Sequence, residues 1–305
     1  MTKKIKTIKN TRIIYSMENP TKPDESEWIE SNSFLSSLSV YDENGNVIKT
    51  VSYSQQGSVQ EFYEYKFGEN NNLVEEICYY DETEIAEHKY IFWDEDRKIS
   101  EKISYQEGGE NIVILSYDHE NNLIERRVVD QDNELQEKEI YEWENKNIIS
   151  EKMFDDEKLI FQKNYSYNEL GLLAEYEYSS PEHADKSRVT YFYNENQNRE
   201  KILRYNWKDQ LIHKTIFTED ENGNVIEIDE EDQKSKKITR LFYDDRGNTI
   251  KQEEYNEEDV LIVNIERTYN TEGSLLETLV YSQNPEDDVR EMYATKYDYE
   301  FFDKV

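Results

Sequence analysis

The sequence predicts an all-β protein: an antiparallel meander of about ten β-hairpin repeats forming one long curled sheet, arch or open barrel. Two observations carry this expectation. The first is a repeated anchor slot, filled by Tyr41, Phe67, Trp93, Tyr117, Trp143, Tyr167, Tyr193, Glu219, Tyr243 and Tyr269 at steps of 24 or 26 residues. Every step is even, so in strands, whose side chains alternate faces with period two, all anchors stay on one face. A helical repeat has no reason to respect parity. The second is the turn chemistry after the anchors: Asn44-Gly45 and Asn222-Gly223 are dipeptides favoured in two-residue type I′ hairpins.

Within a repeat, the strand ascending to the anchor alternates strictly, as in Tyr63-Glu64-Tyr65-Lys66-Phe67. After the turn comes an apolar pair, Val47-Ile48, Leu73-Val74, Leu123-Ile124, Leu172-Leu173, Val225-Ile226 or Leu275-Leu276, which offers one apolar side chain to each face. Both faces are therefore expected to be partly covered. Residues 1–33 precede the repeats as a basic arm (Lys3, Lys4, Lys6, Lys9, Arg12) and lead-in strand, and 34–305 read as one continuous repeat domain without a linker. Such an array should be weakest at its ends, so loss of Tyr281 is expected only to fray the last unit.

Composition supports a sheet with two wetted faces. Hydrophobic residues make up 35% and charged residues 34%, which is thin for a deep core, while 25 Tyr supply broad side chains for a pleated surface. The net charge of -33 argues against a phosphate-tracking nucleic-acid binder and fits either solubility of a long sheet or attraction of a basic partner. No apolar run approaches the roughly 18 residues of a membrane helix, and Met1-Thr2-Lys3-Lys4-Ile5-Lys6 lacks the apolar segment of a signal peptide, so a cytoplasmic protein is expected. The lone Cys78 cannot form an internal disulfide.

The pattern aromatic-Asp-x-x-Gly-Asn, as in Tyr41-Asp42 with Gly45-Asn46 and Tyr243-Asp244 with Gly247-Asn248, resembles the YD repeats of the bacterial RHS family over about residues 34–281. Trp93-Asp94-Glu95-Asp96-Arg97-Lys98, without glycine, and Glu219 in the anchor slot depart from it. The resemblance implies a spiralling β-sheet and association with toxin systems, whose large members form shells around toxic cargo.

No catalytic constellation stands out. His88, His119, His183 and His213 are scattered, there is no paired Cys and no Gly-rich phosphate loop, and no cofactor or metal is expected. The function expected is non-enzymatic: an acidic protein-binding module, of inhibitor or immunity type, that neutralises a basic toxin or nuclease by stoichiometric binding. Two alternatives stand beside it, a DNA mimic, favoured by carboxylates evenly spaced along one edge, and a carbohydrate or cell-surface binder using Tyr and Trp platforms. The partner-binding candidates are acidic residues assigned to the long connections between repeats: Asp229, Glu230, Glu231 and Asp232; Glu286, Asp287 and Asp288; Glu182 and Asp185.

Overall fold

The computed structural model describes residues 4–18, 27–181, 185–285 and 289–303. All regular structure among them is strand, 22 in one sheet. In chain order they are β1 (Ile5–Met17), β2 (Trp28–Tyr41), β3 (Val47–Tyr53), β4 (Val59–Phe67), β5 (Leu73–Tyr79), β6 (Ile85–Asp94), β7 (Arg97–Tyr105) and β8 (Glu110–Tyr117). Next come β9 (Leu123–Asp130), β10 (Leu135–Glu144), β11 (Asn147–Asp155), β12 (Lys158–Tyr167), β13 (Leu173–Ser180), β14 (Asp185–Tyr193) and β15 (Arg199–Tyr205). The last are β16 (Leu211–Glu219), β17 (Val225–Asp232), β18 (Lys236–Tyr243), β19 (Thr249–Tyr255), β20 (Leu261–Tyr269), β21 (Leu275–Asn284) and β22 (Val289–Phe301).

Each strand pairs antiparallel with its sequence neighbours, and β1 pairs with both β2 and β22. The meander is thus a closed barrel, which corrects the expectation of an arch or open barrel. The physical reason lies in the first residues of the chain. The basic arm supplies β1, whose ladder from Thr7↔Glu300 to Tyr15↔Met292 occupies the edge that the repeats alone would leave unpaired.

The register drifts by about one residue per strand around the ring, the stagger of barrel strands tilted by roughly 35–45°. A ring of 22 such strands is roughly 40 Å across, too wide for side chains to fill. The surface area agrees. The chain exposes 19682 Å², whereas a compact chain of this mass exposes about 13,600 Å². The buried apolar residues, among them Val51, Phe62, Ile77, Val113, Val189 and Ala294, are spread around the wall and form no central core.

The anchors face inward. Tyr165 and Tyr167 are half-buried while Asn164 and Ser166 between them are exposed, and the alternation recurs at Tyr191, Phe192 and Tyr193 and at Leu241, Phe242 and Tyr243. Side chains crowd on the concave side of a closed sheet, and the direction of the stagger, combined with the right-handed coil of twisted strands, gives the same assignment.

The anchors also do something the pattern did not reveal. Trp93 Nε1 donates to the Leu73 carbonyl at 2.8 Å and Trp143 Nε1 to Leu123 at 2.7 Å; the hydroxyls of Tyr167, Tyr193, Tyr243 and Tyr269 donate to Ile148, Leu173, Val225 and Thr249. These six anchors thus reach the first strand residues of the preceding repeat and satisfy a carbonyl beside a register shift. The first residue of the pair in turn opposes its own anchor across the ladder, as in Phe67↔Leu73 and Tyr269↔Leu275, except in Leu172-Leu173, where Tyr167 opposes Leu173. The second is exposed at Ile124, Ile226 and Leu276, as the expectation of one apolar residue per face requires, but half-buried at Ile48 and Val74.

The outer face mixes apolar and charged groups. Phe192 and Phe242 lie opposite Lys201 and Lys251, whose ammonium groups sit 4.2 and 5.6 Å from the ring centroids. Lys66–Glu75, Arg188–Glu175, Arg240–Glu227 and Lys214–Glu231 form cross-strand ion pairs on the same face. A lipid-facing barrel wall needs an uninterrupted apolar band about 25 Å tall, and this face has charges at mid-strand.

Closure removes the terminal repeats, so fraying at one end is not the expected response to mutation. Trp143→Ala should lower global stability by on the order of 3 kcal/mol through lost ring packing and an orphaned Leu123 carbonyl. Tyr281→Ala, whose ring lies 6.2 Å from Trp28 near the closing strands, should also shift the global denaturant midpoint. Urea unfolding followed by far-UV circular dichroism checks both; a Tyr281→Ala midpoint equal to wild type would contradict the ring.

Candidate protein-binding surface

Most turns at the anchor end share one construction. Asp42 N–H donates to the Asn46 carbonyl at 2.9 Å and Gly45 N–H to the Asp42 carbonyl at 3.1 Å, with Gly45 at φ 92°. This is a type I turn followed by a bulge residue in the left-handed region, not the two-residue type I′ turn expected from Asn44-Gly45. The carboxylate explains the difference. Asp42 Oδ1 accepts the backbone N–H groups of Asn44 (2.8 Å) and Asn46 (2.9 Å), and Oδ2 accepts Asn46 Nδ2. Capped in this way, Asn44 keeps a negative φ and only the glycine crosses over. The same cap occurs at Asp118, Asp220 and Asp244, Asn168, Asn194 and Asn270 make the backbone part of it, and Asn206 and Asn256 repeat that part at the opposite rim. Paired positive φ values occur instead at Asn145-Lys146 and Asp156-Glu157, which carry no glycine.

These turns set the charge of one rim. The position after the cap is Glu43, Glu69, Glu95, Glu169, Glu195, Glu221 or Asp245, and the next is Glu120 or Glu272 in two further turns. All are exposed, and none forms an ion pair with Lys or Arg among the described residues. Successive turns are two strands apart, so an exposed carboxylate recurs every roughly 10 Å around most of the rim.

The acidic residues assigned to long connections lie differently. Asp229, Glu230, Glu231 and Asp232 are not in a loop but form the end of β17, facing β16 and β18. Three are ion-paired: Asp229 with Lys236 at 3.1 Å, Glu230 with Lys237 at 3.1 Å and Glu231 with Lys214 at 2.6 Å. Asp232 Oδ1 accepts the N–H groups of Lys234 and Ser235 and so caps a tight turn. The strand was missed because four acids in a row mask alternation, although Lys236 and Lys237 supply their cross-strand partners. Asp185 begins β14, opposite Ser180. Glu182, Glu286, Asp287 and Asp288 lie outside the described residues, as does His183.

The inner wall holds a second arrangement. Tyr165, Tyr176 and Tyr191 follow one another across β12, β13 and β14 with ring centroids 6.0 and 6.4 Å apart, and Phe161 meets Tyr178 at 5.9 Å. Burial and a hydrogen bond to Glu151 raise the Tyr165 pKa well above the usual phenol value, and burial with Glu139 does the same for Tyr141, so both hydroxyls stay protonated donors. No group of three or more His, Cys, Asp or Glu among the described residues is placed to hold a metal ion.

No family model matches the chain, and no curated protein matches it. Among solved structures, the complex of TcdB2-TccC3 with Cdc42 is similar over 81% of this chain at 10% identity, with a TM-score of 0.35; the chain spans 15% of that one. The Photorhabdus luminescens Tc holotoxin pore is similar over 90% of this chain and 20% of that one, at 11% identity and a TM-score of 0.31. A porin-like protein from Bacteroides uniformis matches over 97% and 98% of the two chains at 7% identity and a TM-score of 0.33.

The turn caps generate a pH prediction. Hydrogen bonds from Asn122, Asn224 and Asn248 hold the carboxyls of Asp118, Asp220 and Asp244 below the usual carboxylate range. A depressed folded-state pKa stabilises above the unfolded pKa, and that contribution is lost as pH falls through the folded one. Asp220→Asn should therefore melt like wild type near neutrality, as the Asn-capped repeats suggest, but show a shallower loss of melting temperature below about pH 4. Asp220→Ala should melt lower at every pH. Thermal melts over that range test both; equal melting of the Ala and Asn variants at neutral pH would refute the cap.

Proposed function

We propose that this protein acts without catalysis, as an acidic module that binds a basic protein stoichiometrically, in the manner of an inhibitor or immunity protein against a toxin or nuclease. The observation that carries the reading is the separation of two carboxylate populations. Strand carboxylates such as Glu75, Glu175 and Glu231 are neutralised by cross-strand Lys and Arg. The turn apices from Glu43 to Glu272 project a ring of charge, unpaired with Lys or Arg among the described residues, from the anchor-side rim, and Glu82, Glu107, Asp132, Glu157 and Glu257 do the same at the opposite rim, of a barrel whose net charge is -33. Such rings steer a basic partner toward the ends of the barrel.

The site within this reading moves from the Asp229–Asp232 run, whose charges are largely compensated, to the anchor-side rim. The spacing also separates a protein partner from DNA mimicry. One carboxylate per roughly 10 Å of rim is sparse beside a phosphate every 3.4 Å along each strand of a duplex. The carbohydrate alternative keeps one supporting observation, the Tyr165, Tyr176 and Tyr191 platform on the inner wall.

The test is kinetic. With the basic protein that co-purifies from native lysate isolated and immobilised, association should slow at least about tenfold between 20 and 150 mM salt, where screening shortens to about 8 Å. Replacing Glu43, Glu195, Glu221 and Asp245 together by Gln should lower the on-rate with no loss of melting temperature. The triple change of Asp229, Glu230 and Glu231 should affect the on-rate less. Salt-independent association, or an on-rate untouched by the rim changes, would sink the proposal.

A further inference from the structure

Beside the closure, β1, β2 and β22 line an open pocket of about 390 Å³, within the usual size of small-molecule sites. Ile14, Phe34 and Met292 give it apolar walls, and Arg12, Tyr15, Arg290, Glu291 and Tyr293 supply its polar groups. The Arg12 guanidinium lies 3.9 Å from the centroid of the Tyr293 ring. Stacking by the face leaves the planar fork of N–H donors open at its edge.

Among the described residues Arg12 has no carboxylate partner, as is also the case for Arg199, Arg204, Arg246 and Arg267, but it alone of these lines a pocket. Elsewhere in the wall Arg126 is held by Glu137, Arg188 by Glu175 and Arg240 by Glu227. Arg12 instead faces Phe34 on β2 and Thr295 on β22. The same row continues through Thr278 to Arg267, whose Nη1 is buried without an acceptor. In a chain with 69 acidic and 36 basic residues, this arc is an island of uncompensated positive charge. Glu291, two residues from Tyr293, stands exposed at the pocket edge and forms no ion pair with Arg12. The pocket therefore offers an apolar floor, a guanidinium fork and, beyond the stacked tyrosine, a separate carboxylate.

We propose that this pocket binds a small zwitterion with an apolar body, an α-amino acid with an aromatic or branched side chain. The ligand carboxylate takes the Arg12 fork in a bidentate pair, the ammonium group meets Glu291, and the side chain packs on Phe34 and Ile14. Because these residues come from β1, β2 and β22, the ligand ties together the strands that close the barrel. Binding only the closed state raises apparent stability by mass action.

The probe is L-phenylalanine, titrated into the intact protein by calorimetry and followed by thermal melts. One-to-one saturable binding with a rising melting temperature is expected. Phenylalaninamide, which lacks the carboxylate, and 3-phenylpropionate, which lacks the ammonium group, should each bind at least about tenfold more weakly. Arg12→Gln and Glu291→Gln should lower affinity by a similar factor; where Arg12→Gln melts early, Arg12→Lys, which keeps the charge but loses the fork, should still weaken binding. Absence of saturable binding by L-phenylalanine at about 10 mM, or affinity unchanged in the Arg12 variants, would overturn the assignment. Equal binding of 3-phenylpropionate would overturn the zwitterion.

Discussion

The ladder between β1 and β22 is the contact on which the rest of the structure depends. A 22-stranded meander with both edges bare would present two long rows of unpaired N–H and C=O groups, ready to pair with another chain. Joining Ile13 to Ala294, and their neighbours on either side, removes both edges at once. These two residues are 5% and 0% exposed, so the seam is among the best-buried parts of a protein that has little buried anywhere. Closure also fixes the width, and the width leaves the interior open to water. Stability must then come from the wall itself, from anchor rings lying over the preceding repeat and from cross-strand pairs.

Much of that wall was legible in the sequence because it depends on parity and local chemistry. Even steps between Tyr41, Phe67 and Trp93 are enough to put the anchors on one face, and the structure has them there. Less legible was what depends on residues far apart in the chain. Nothing in the stretch from Ile5 to Met17 names its partner, and β22, the strand it meets, lies at the other end of the described chain. The turn type was missed for a local reason. Asn44-Gly45 was read as a pair, whereas the turn is set by Asp42 two residues earlier, whose carboxylate holds Asn44 in place. The anchor tips were hidden in another way, since the hydrogen bond from Trp143 to the Leu123 carbonyl spans 20 residues and exists only once the neighbouring hairpin is formed.

The candidate surface follows the same division. An acidic run such as Asp229–Asp232 looks in sequence like free charge, but on the two adjacent strands are the lysines that neutralise most of it. Single acids in the turns look unremarkable in sequence, yet the barrel sets them side by side around a rim. Net charge therefore predicts the sign of a partner, while the register decides which carboxylates remain available to it.

Amide hydrogen exchange on β1 and β22 tests closure most directly. In an antiparallel strand successive N–H groups point to opposite neighbours, so a strand paired on one side only protects every second amide, whereas one paired on both sides protects a continuous run. Closure predicts continuous protection from Ile8 to Ile14 and from Tyr293 to Tyr299, comparable to that of β12 and β13. An alternating pattern of fast and slow exchange in both segments would show an open sheet and contradict the barrel.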